Sequence, residues 1–451
     1  MRLGEGMKGQ GMLERWFKLA ELRTDVRTEI LAGVTTFMTM AYIIVVQPTV
    51  LQAAGMDFGA VVVATCLSSA LATVLMALLA NYPIALAPAM GHNFFFTYTV
   101  ILGMKVSWEI ALGAVFIAGS LFIILSLFGL REAIIHAAPE SLQHAIAVGI
   151  GLLIAMVGLQ WSGIVVDAPG TLIGLGDLRS PPVLLAIFGV TTVSLLMVLK
   201  VKGAILWGMG ASALVGLISG LLQYQGLMSP PPSLAPVLLR LDIAGALDPG
   251  LATVIFIFLM LALFDTAGTL IGVSQQAGFL KDGKLPRARE ALLADAMGTV
   301  GGALLGTSTV TSYIESAAGV AAGGRSGLAN LVTAFLFLAS LFFFPLVLMV
   351  GGGYQAGGAL LYPVTAPALI VVGSLMVKNV REISWDDPSE AIPAFLTMII
   401  MPLSFSISDG IAFGFISYVF LKVATRQWQR IPWPLYLFAA LFLLRYTVAH
   451  L

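Results

Sequence analysis

Charge is the scarcest ingredient of this sequence. Only 10% of its 451 residues are Asp, Glu, Lys or Arg, against roughly 25% in soluble domains. That shortage excludes a water-soluble globular chain, and no stretch is polar enough to form a soluble domain of its own. Cysteine is almost missing. Cys66 stands alone, so an internal disulfide framework and a cysteine metal site are both excluded. There is no HExxH, no P-loop and no Cys/His metal spacing. Neither a metal nor a cofactor is expected. The basic residues are spread as membrane-topology charges, so no nucleic-acid partner is expected either.

What is abundant is apolar length: 59% of residues are hydrophobic and the mean hydropathy is +0.98. A spanning helix needs about 20 apolar residues. On that basis spans lie near 29–50, 58–80, 84–103, 109–129, 141–160, 182–199, 203–223, 249–276, 290–305, 307–323, 327–350, 358–377, 390–405 and 408–424. The expectation is an all-α polytopic membrane protein with fourteen transmembrane segments. The polar start, 1–28, is basic up to Arg27 and is followed by a long apolar segment, unlike a cleavable signal. It is assigned to the cytoplasm. The run 434–444 is short and precedes Arg445; it reads as a tilted span, an interfacial helix or a re-entrant piece. With this count, nineteen of the 23 Lys and Arg fall inside, and only Lys105, Arg179 and Arg240 fall outside. That is the asymmetry the positive-inside rule demands, and it places the chain in the plasma membrane with its N-terminus in the cytoplasm.

The longest external connection, about 224–248, carries Pro230, Pro231, Pro232 and Pro236 and separates two sets of seven spans. Seven is odd, so the second set enters the membrane inverted, a common transporter plan. Two irregular spans correspond. The third contains Ala87-Pro88-Ala89-Met90-Gly91, and the tenth contains TSTVTSYIESAAGVAAGGR over 307–325. In the tenth, 307–311 is β-branched and suits extended backbone. Ser312-Tyr313-Ile314-Glu315 then reads as a capping box opening a helix. Broken helices at membrane depth mark substrate sites.

Ionisable groups inside spans are costly and point to function. Asp265 lies mid-span; its structural reading is a carboxyl satisfied by Thr266 or Thr269, and its depth favours the functional one. Glu315 sits where the helix dipole favours charge and burial favours neutrality, a balance suited to taking up and releasing a proton. Its structural reading is a capping residue. Asn93 offers an amide to a heterocycle or to a neighbouring helix. His92 has the chemistry to titrate near neutral pH, yet a lone His is more often simply hydrogen-bonded. Phe94 and its aromatic neighbours offer a stacking face. Asp295 reads as a helix-start or gating acid, and Asp409 as a turn residue in Ser408-Asp409-Gly410. Gly174-Leu175-Gly176-Asp177 matches the GxGD of intramembrane aspartyl proteases but falls in an external loop, away from a second acid.

Several blocks are similar to a known family. LAGVTTFMTMAYIIVVQP (31–48), APAMGHNFFFTYTV (87–100), LFDTAGTLIGV (263–273), ALLADAMGTVGGALLGTSTVTSYIESAAGVAAGGRSGL (291–328) and EAIPAFLTMIIMPLSFSISDGIAFGFISY (390–418) resemble the AzgA-like purine permeases of the nucleobase–cation symporter-2 family. The resemblance covers nearly everything after about residue 28. It implies the uracil-permease fold, a 7+7 inverted repeat with short strands in the third and tenth spans. Residues 29–129 and 249–350 would form a core domain. Residues 141–223 and 358–424 would form a gate domain through which two copies pair, and 425–451 would be a C-terminal tail. It implies import of adenine, guanine or hypoxanthine with protons, Na⁺ being the other candidate ion. By motif, Asp265, Glu315 and Asn93 carry over as site residues. A histidine, His92, stands where the family usually has an aliphatic residue, which bears on substrate choice and pH response.

The expected mechanism places the purine between the broken helices. Glu315 and Asp265 accept from its N–H groups, and backbone N–H groups near Gly91 and Tyr313 donate to ring acceptors. Phe94 stacks. Proton coupling runs through Glu315 and Asp265, with His92 a weaker candidate. Rival readings are a uracil, xanthine or anion carrier of the same fold, a membrane-embedded hydrolase, and a channel.

Overall fold

The computed structural model describes residues 16–128, 139–168, 170–280, 285–356 and 359–448. Six of the basic residues assigned inside (Arg2, Lys8, Arg15, Arg131, Lys281 and Lys284) lie outside that set. The first pass is two helices, α1 (Val26–Met40) and α2 (Ile43–Gln52). Asp25 caps α1 by accepting from Thr28 N at 3.0 Å. At the join the chain tightens into i→i+3 bonds, Ile44 N to Ala41 O and Val45 N to Tyr42 O, both 3.1 Å, a geometry typical of a hinge between helices. The second pass is α3 (Phe58–Leu75), capped by Asp57 and extended by a π-helical turn to Ala80. Cys66 lies in α3, fully buried.

The third pass is β1 (Leu86–Pro88), the short α4 (Met90–Phe94) and a π-helical stretch Phe95–Gly103. Then follow α5 (Trp108–Phe128), α6 (Glu140–Trp161), a hairpin of β2 (Val165–Ala168) and β3 (Leu172–Leu175), α7 (Pro181–Val198) and α8 (Ala204–Ile218). The GxGD tetrapeptide falls at this hairpin. A proline-rich connection with the one-turn α9 (Ile243–Ala246) leads to the second half.

The second half repeats the order: α10 (Ala252–Ala277), α11 (Ala288–Leu305), then β4 (Val310–Ser312) with the short α12 (Ser316–Ala321). After these come α13 (Gly327–Ser340), α14 (Phe344–Gly351), a hairpin of β5 (Tyr354–Ala356) and β6 (Ala359–Leu361), α15 (Ala366–Met376), α16 (Pro388–Ser404) and α17 (Ile407–Ala424). Among the described residues eight helical passes are long and apolar enough to cross a membrane, the hinged first pass included. The third and tenth passes are interrupted by strands, and others are shorter.

Two sequence expectations are corrected here. The tenth pass contains no capping box: α12 starts only at Ser316, Glu315 makes no side-chain cap bond, and Ser312 bonds to Asp295 instead. Asp409 is not in a turn but in the first turn of α17, whose N-cap is Ser406. The run left open in the sequence is also settled. It is a helix, α18 (Trp433–Val448), packed antiparallel along α17, with Phe442 against Phe415 and Tyr446 Oη donating to Asp409 Oδ1 at 2.7 Å.

The helices fall into two packing groups. One joins α11 to α3 and α5, α13 to α1 and α3, and α12 to α1; the other joins α15 to α6 and α7, α16 to α6 and α17, and α7 to α8. In the second group α6 and α15 touch backbone to backbone. A Cβ on Gly373 would lie 2.4 Å from Gly151 O, and one on Gly151 would lie 2.8 Å from Gly373 O. Small residues at a helix crossing are what permit such an approach within lipid. Gly373→Val is therefore expected to cost about 1–3 kcal/mol through overpacking. Gly210→Ala, where a Cβ meets nothing within 4 Å, is expected to be neutral. Thermal unfolding in detergent separates the two.

At the cytoplasmic end of this group Lys422 is 1% exposed and pairs with Glu390 at 2.8 Å and Asp387 at 3.3 Å. Asp387 caps α16 in the loop before it. Hydrogen bonds from the Ser389 hydroxyl and amide, with Lys422 nearby, hold its carboxyl below the usual range. A lowered folded value means that the stabilisation is present at neutral pH and disappears as pH falls through that value. The difference in thermal midpoint between wild type and Asp387→Asn should be present at pH 7 and close as the buffer is acidified below the normal aspartate range.

Candidate functional site

The two broken passes meet at strands β1 and β4, which pair antiparallel with Leu86 opposite Ser312, Ala87 opposite Thr311 and Pro88 opposite Val310. Pro88 has no N–H to give, and its carbonyl accepts from Tyr313 Oη at 2.6 Å. The flanking amides are used as well: Ala89 N bonds Thr309 O and Tyr313 N bonds Ala85 O, both at 2.9 Å. Hydroxyls close the remaining valences, Thr73 with both polar groups of Leu86 and Thr299 with Val310 O. Extended backbone at this depth survives because protein satisfies it. Since the Tyr313 amide is committed to Ala85, it is not free for a ring acceptor, contrary to expectation. The first-turn amides of α4, Gly91 among them, precede any intrahelical acceptor. Gly91 also lets α4 approach α6, because a Cβ there would lie 3.0 Å from Ile150 Cγ2.

Three carboxylates surround β4. Asp265, in the middle of α10, accepts from Thr311 Oγ1 at 3.0 Å, not from Thr266 or Thr269. Glu315 accepts from Tyr42 Oη at 2.6 Å, and its carbonyl accepts from Thr39 Oγ1 at 3.3 Å. Tyr42 lies at the hinge between α1 and α2, so the break in the first pass aims its hydroxyl at the tenth. Asp295 is fully buried. Its Oδ1 accepts from Ser312 N at 2.8 Å and Ser312 Oγ at 2.9 Å, and its Oδ2 accepts from Thr266 Oγ1 at 2.8 Å. Asp295 is therefore not a helix-start acid: it ties β4 to α10 one residue away from Asp265. Asp265 is within electrostatic range of both other acids.

Asp265 is exposed despite its central depth. Gly268, Gly272 and Gln275 are exposed as well, at steps of three and four that trace one helix face. This face runs from the strand crossing to the cytoplasmic end of α10. The outer half of α10 is closed: Phe256, Met260 and Phe264 lie against Ile146, Ile411 and Phe415 around a gap of only about 10 Å³. The exposed face of α10 thus leads from the crossing toward the cytoplasmic end of the helix.

Asn93 and Gln47 form a second, buried cluster. Gln47 Nε2 donates to Thr307 Oγ1 at 2.8 Å and Ser308 Oγ at 3.0 Å, and Ser308 Oγ donates to Asn93 Oδ1. Among the described residues, Gln47 Oε1, Asn93 Nδ2 and His92 Nε2 are buried without a partner, which is costly unless something fills the role. No hydrogen bond among the described residues links His92 to Asp265 or Glu315. Phe94 is fully buried and one of its faces is taken by Tyr98, the rings 5.6 Å apart and 8° from parallel. Sequence reasoning missed Tyr42, Gln47 and the role of Asp295. Each acts across more than 16 residues of chain, and only the polar character of Gln47 inside an apolar span gave a local signal.

A profile of the permease family, Xan_ur_permease, matches residues 27–413. The chain belongs to this family. The adenine permease AdeP of Escherichia coli is 44% identical to the permease over 438 residues, covering 97% of this chain and 96% of AdeP. The guanine/hypoxanthine permease PbuO of Bacillus subtilis is 46% identical over 435 residues, covering 95% and 99%. With relatives that are permeases, the hydrolase reading falls: the chain is a transporter and not an enzyme. Among solved structures, the transmembrane domain of the cyanobacterial bicarbonate transporter BicA superposes with a TM-score of 0.62 at 16% identity, over 85% of this chain and 96% of that one. At that identity the likeness is one of fold, the 7+7 inverted repeat with its two short strands.

Proposed function

We propose that the permease imports purine nucleobases by proton symport. The observation that carries this reading is the placement of Asp265 and Glu315 next to β4, each held by a hydroxyl donor, Thr311 for the first and Tyr42 for the second. Two carboxylate acceptors suit the adjacent N–H groups of a purine and disfavour an anion. The names of AdeP and PbuO point to the same cargo. The purine sits beside the β1–β4 ladder, against Asp265 and Glu315, with Asn93 Nδ2, unpartnered among the described residues, as a donor to a ring acceptor. Proton uptake by one carboxyl lowers the cost of carrying two negative groups through the membrane. The group of helices around the strands, 29–129 with 249–350, then slides as a core against the gate, 141–223 with 358–424. Closure of the outer half of α10, with the inner half open, is one end of that movement.

The test is uptake of radiolabelled hypoxanthine and adenine into cells lacking purine permeases, with and without a proton uncoupler. Saturable uptake collapsed by the uncoupler is expected. Uptake that follows a sodium gradient instead would replace the coupling ion, and competition by uracil, xanthine or bicarbonate but not by adenine, guanine or hypoxanthine would replace the cargo.

A further inference from the structure

A second cavity, of about 530 Å³, is within the size range of small-molecule sites. Its walls come from the outer ends of three passes: the π-helical stretch of the third, the end of α6, and the turn between α16 and α17. By the charge asymmetry these ends face the exterior. The floor is a contact between the two packing groups. Ile407 N donates to Thr99 Oγ1 at 3.2 Å, and the rings of Tyr98 and Phe405 lie 6.2 Å apart. Tyr98 also stacks on Phe94, the neighbour of Asn93. A line of aromatic faces therefore runs from the strand crossing to this cavity.

The polar wall is of matching chemistry. Gln160 supplies an exposed amide, able to donate and to accept. Ser406 Oγ is held by Asp409 N at 3.2 Å. Asp409 is oriented by Tyr446 of α18, whose hydroxyl donates to Oδ1; Oδ2 has no donor among the described residues. A flat heterocycle with an N–H beside a carbonyl or ring nitrogen fits an acceptor, an amide and two aromatic faces.

We propose that this cavity is an outer vestibule that binds a nucleobase before the strand crossing opens to the exterior, with Asp409 Oδ2 and Gln160 reading its polar edge and Tyr98 and Phe405 its faces. The inference rests on the cargo proposed above. It makes α18 a positioning element, since Tyr446 fixes the carboxylate that meets the ligand.

Equilibrium binding of tritiated hypoxanthine and adenine to the full-length protein in detergent tests it. Two sites per chain are expected, one lost in Glu315→Gln and a weaker one kept. That weaker site should lose at least about tenfold in affinity in Asp409→Asn, where the amide oxygen still accepts from Tyr446, and in Gln160→Ala, an exposed position that leaves packing intact. Thermal midpoints verify that both variants are folded. A single site that vanishes in Glu315→Gln and ignores Asp409→Asn and Gln160→Ala overturns the vestibule and leaves the cargo standing. A folded wild type that binds neither base overturns the cargo reading and the vestibule with it.

Discussion

Glu315→Gln should bring purine accumulation down to the level seen with uncoupler, while the protein stays folded. Glutamine has nearly the same volume, and its amide oxygen still accepts the 2.6 Å bond from Tyr42. What disappears is the charge and the exchangeable proton. A hydrogen bond to a charged acceptor is worth about 1.5–3 kcal/mol, so base affinity at the crossing is expected to fall roughly 10- to 100-fold, enough to remove that site from a direct binding isotherm. Concentrative uptake should fail outright, because a permanently neutral group cannot carry the proton. Tyr42→Phe makes a useful companion: it keeps the carboxylate and removes its donor, and a milder loss of affinity with coupling retained is expected. Unchanged accumulation by the glutamine variant would remove Glu315 from the transport cycle.

The second large effect is expected at Asp295. Asp295→Ala strands three buried donors at once, Ser312 N, Ser312 Oγ and Thr266 Oγ1. Each costs about 1–3 kcal/mol unsatisfied, so a drop of many degrees in thermal midpoint and loss of uptake should follow. Asp295→Asn is the discriminating variant. Its carbonyl can serve Ser312, and its amide can donate to Thr266, whose hydroxyl turns to accept. Stability should largely return, and base affinity with it, since β4 would again be tied beside Asp265. If the alanine variant keeps both its thermal midpoint and its KM, Asp295 does not position the strand.

Much of the fold was legible because lipid imposes simple rules. Apolar length gave the passes, Lys and Arg gave the sides, and the odd number of passes per half gave the inversion. Pro88 and the hydroxyl-rich 307–311 gave the broken third and tenth passes, since neither suits an unbroken helix. The local rule failed where a long-range partner was available. Ser312 and Glu315 have capping-box spacing, yet Ser312 is claimed by Asp295 and Glu315 by Tyr42, whose hydroxyl comes from 273 positions away. Asp295 was misread for the same reason: proximity to a basic loop is visible in one dimension, whereas three converging donors are not. The run after Pro434 was ambiguous on length alone, and the face it shows to α17 through Leu435, Ala439 and Phe442 identifies itself only once the neighbour is in place.

The solitary cysteine has a practical consequence. Cys66 is enclosed on every side within α3, so water-borne thiol reagents should pass it by, and the native chain already serves as an unreactive background for labelling. A cysteine introduced at Ser404, on the vestibule wall, and another at Gly272, on the inner face of α10, would each be the sole target. Modified from outside and from inside in turn, and followed as purine is added, the pair would report which door is open without any further change to the protein.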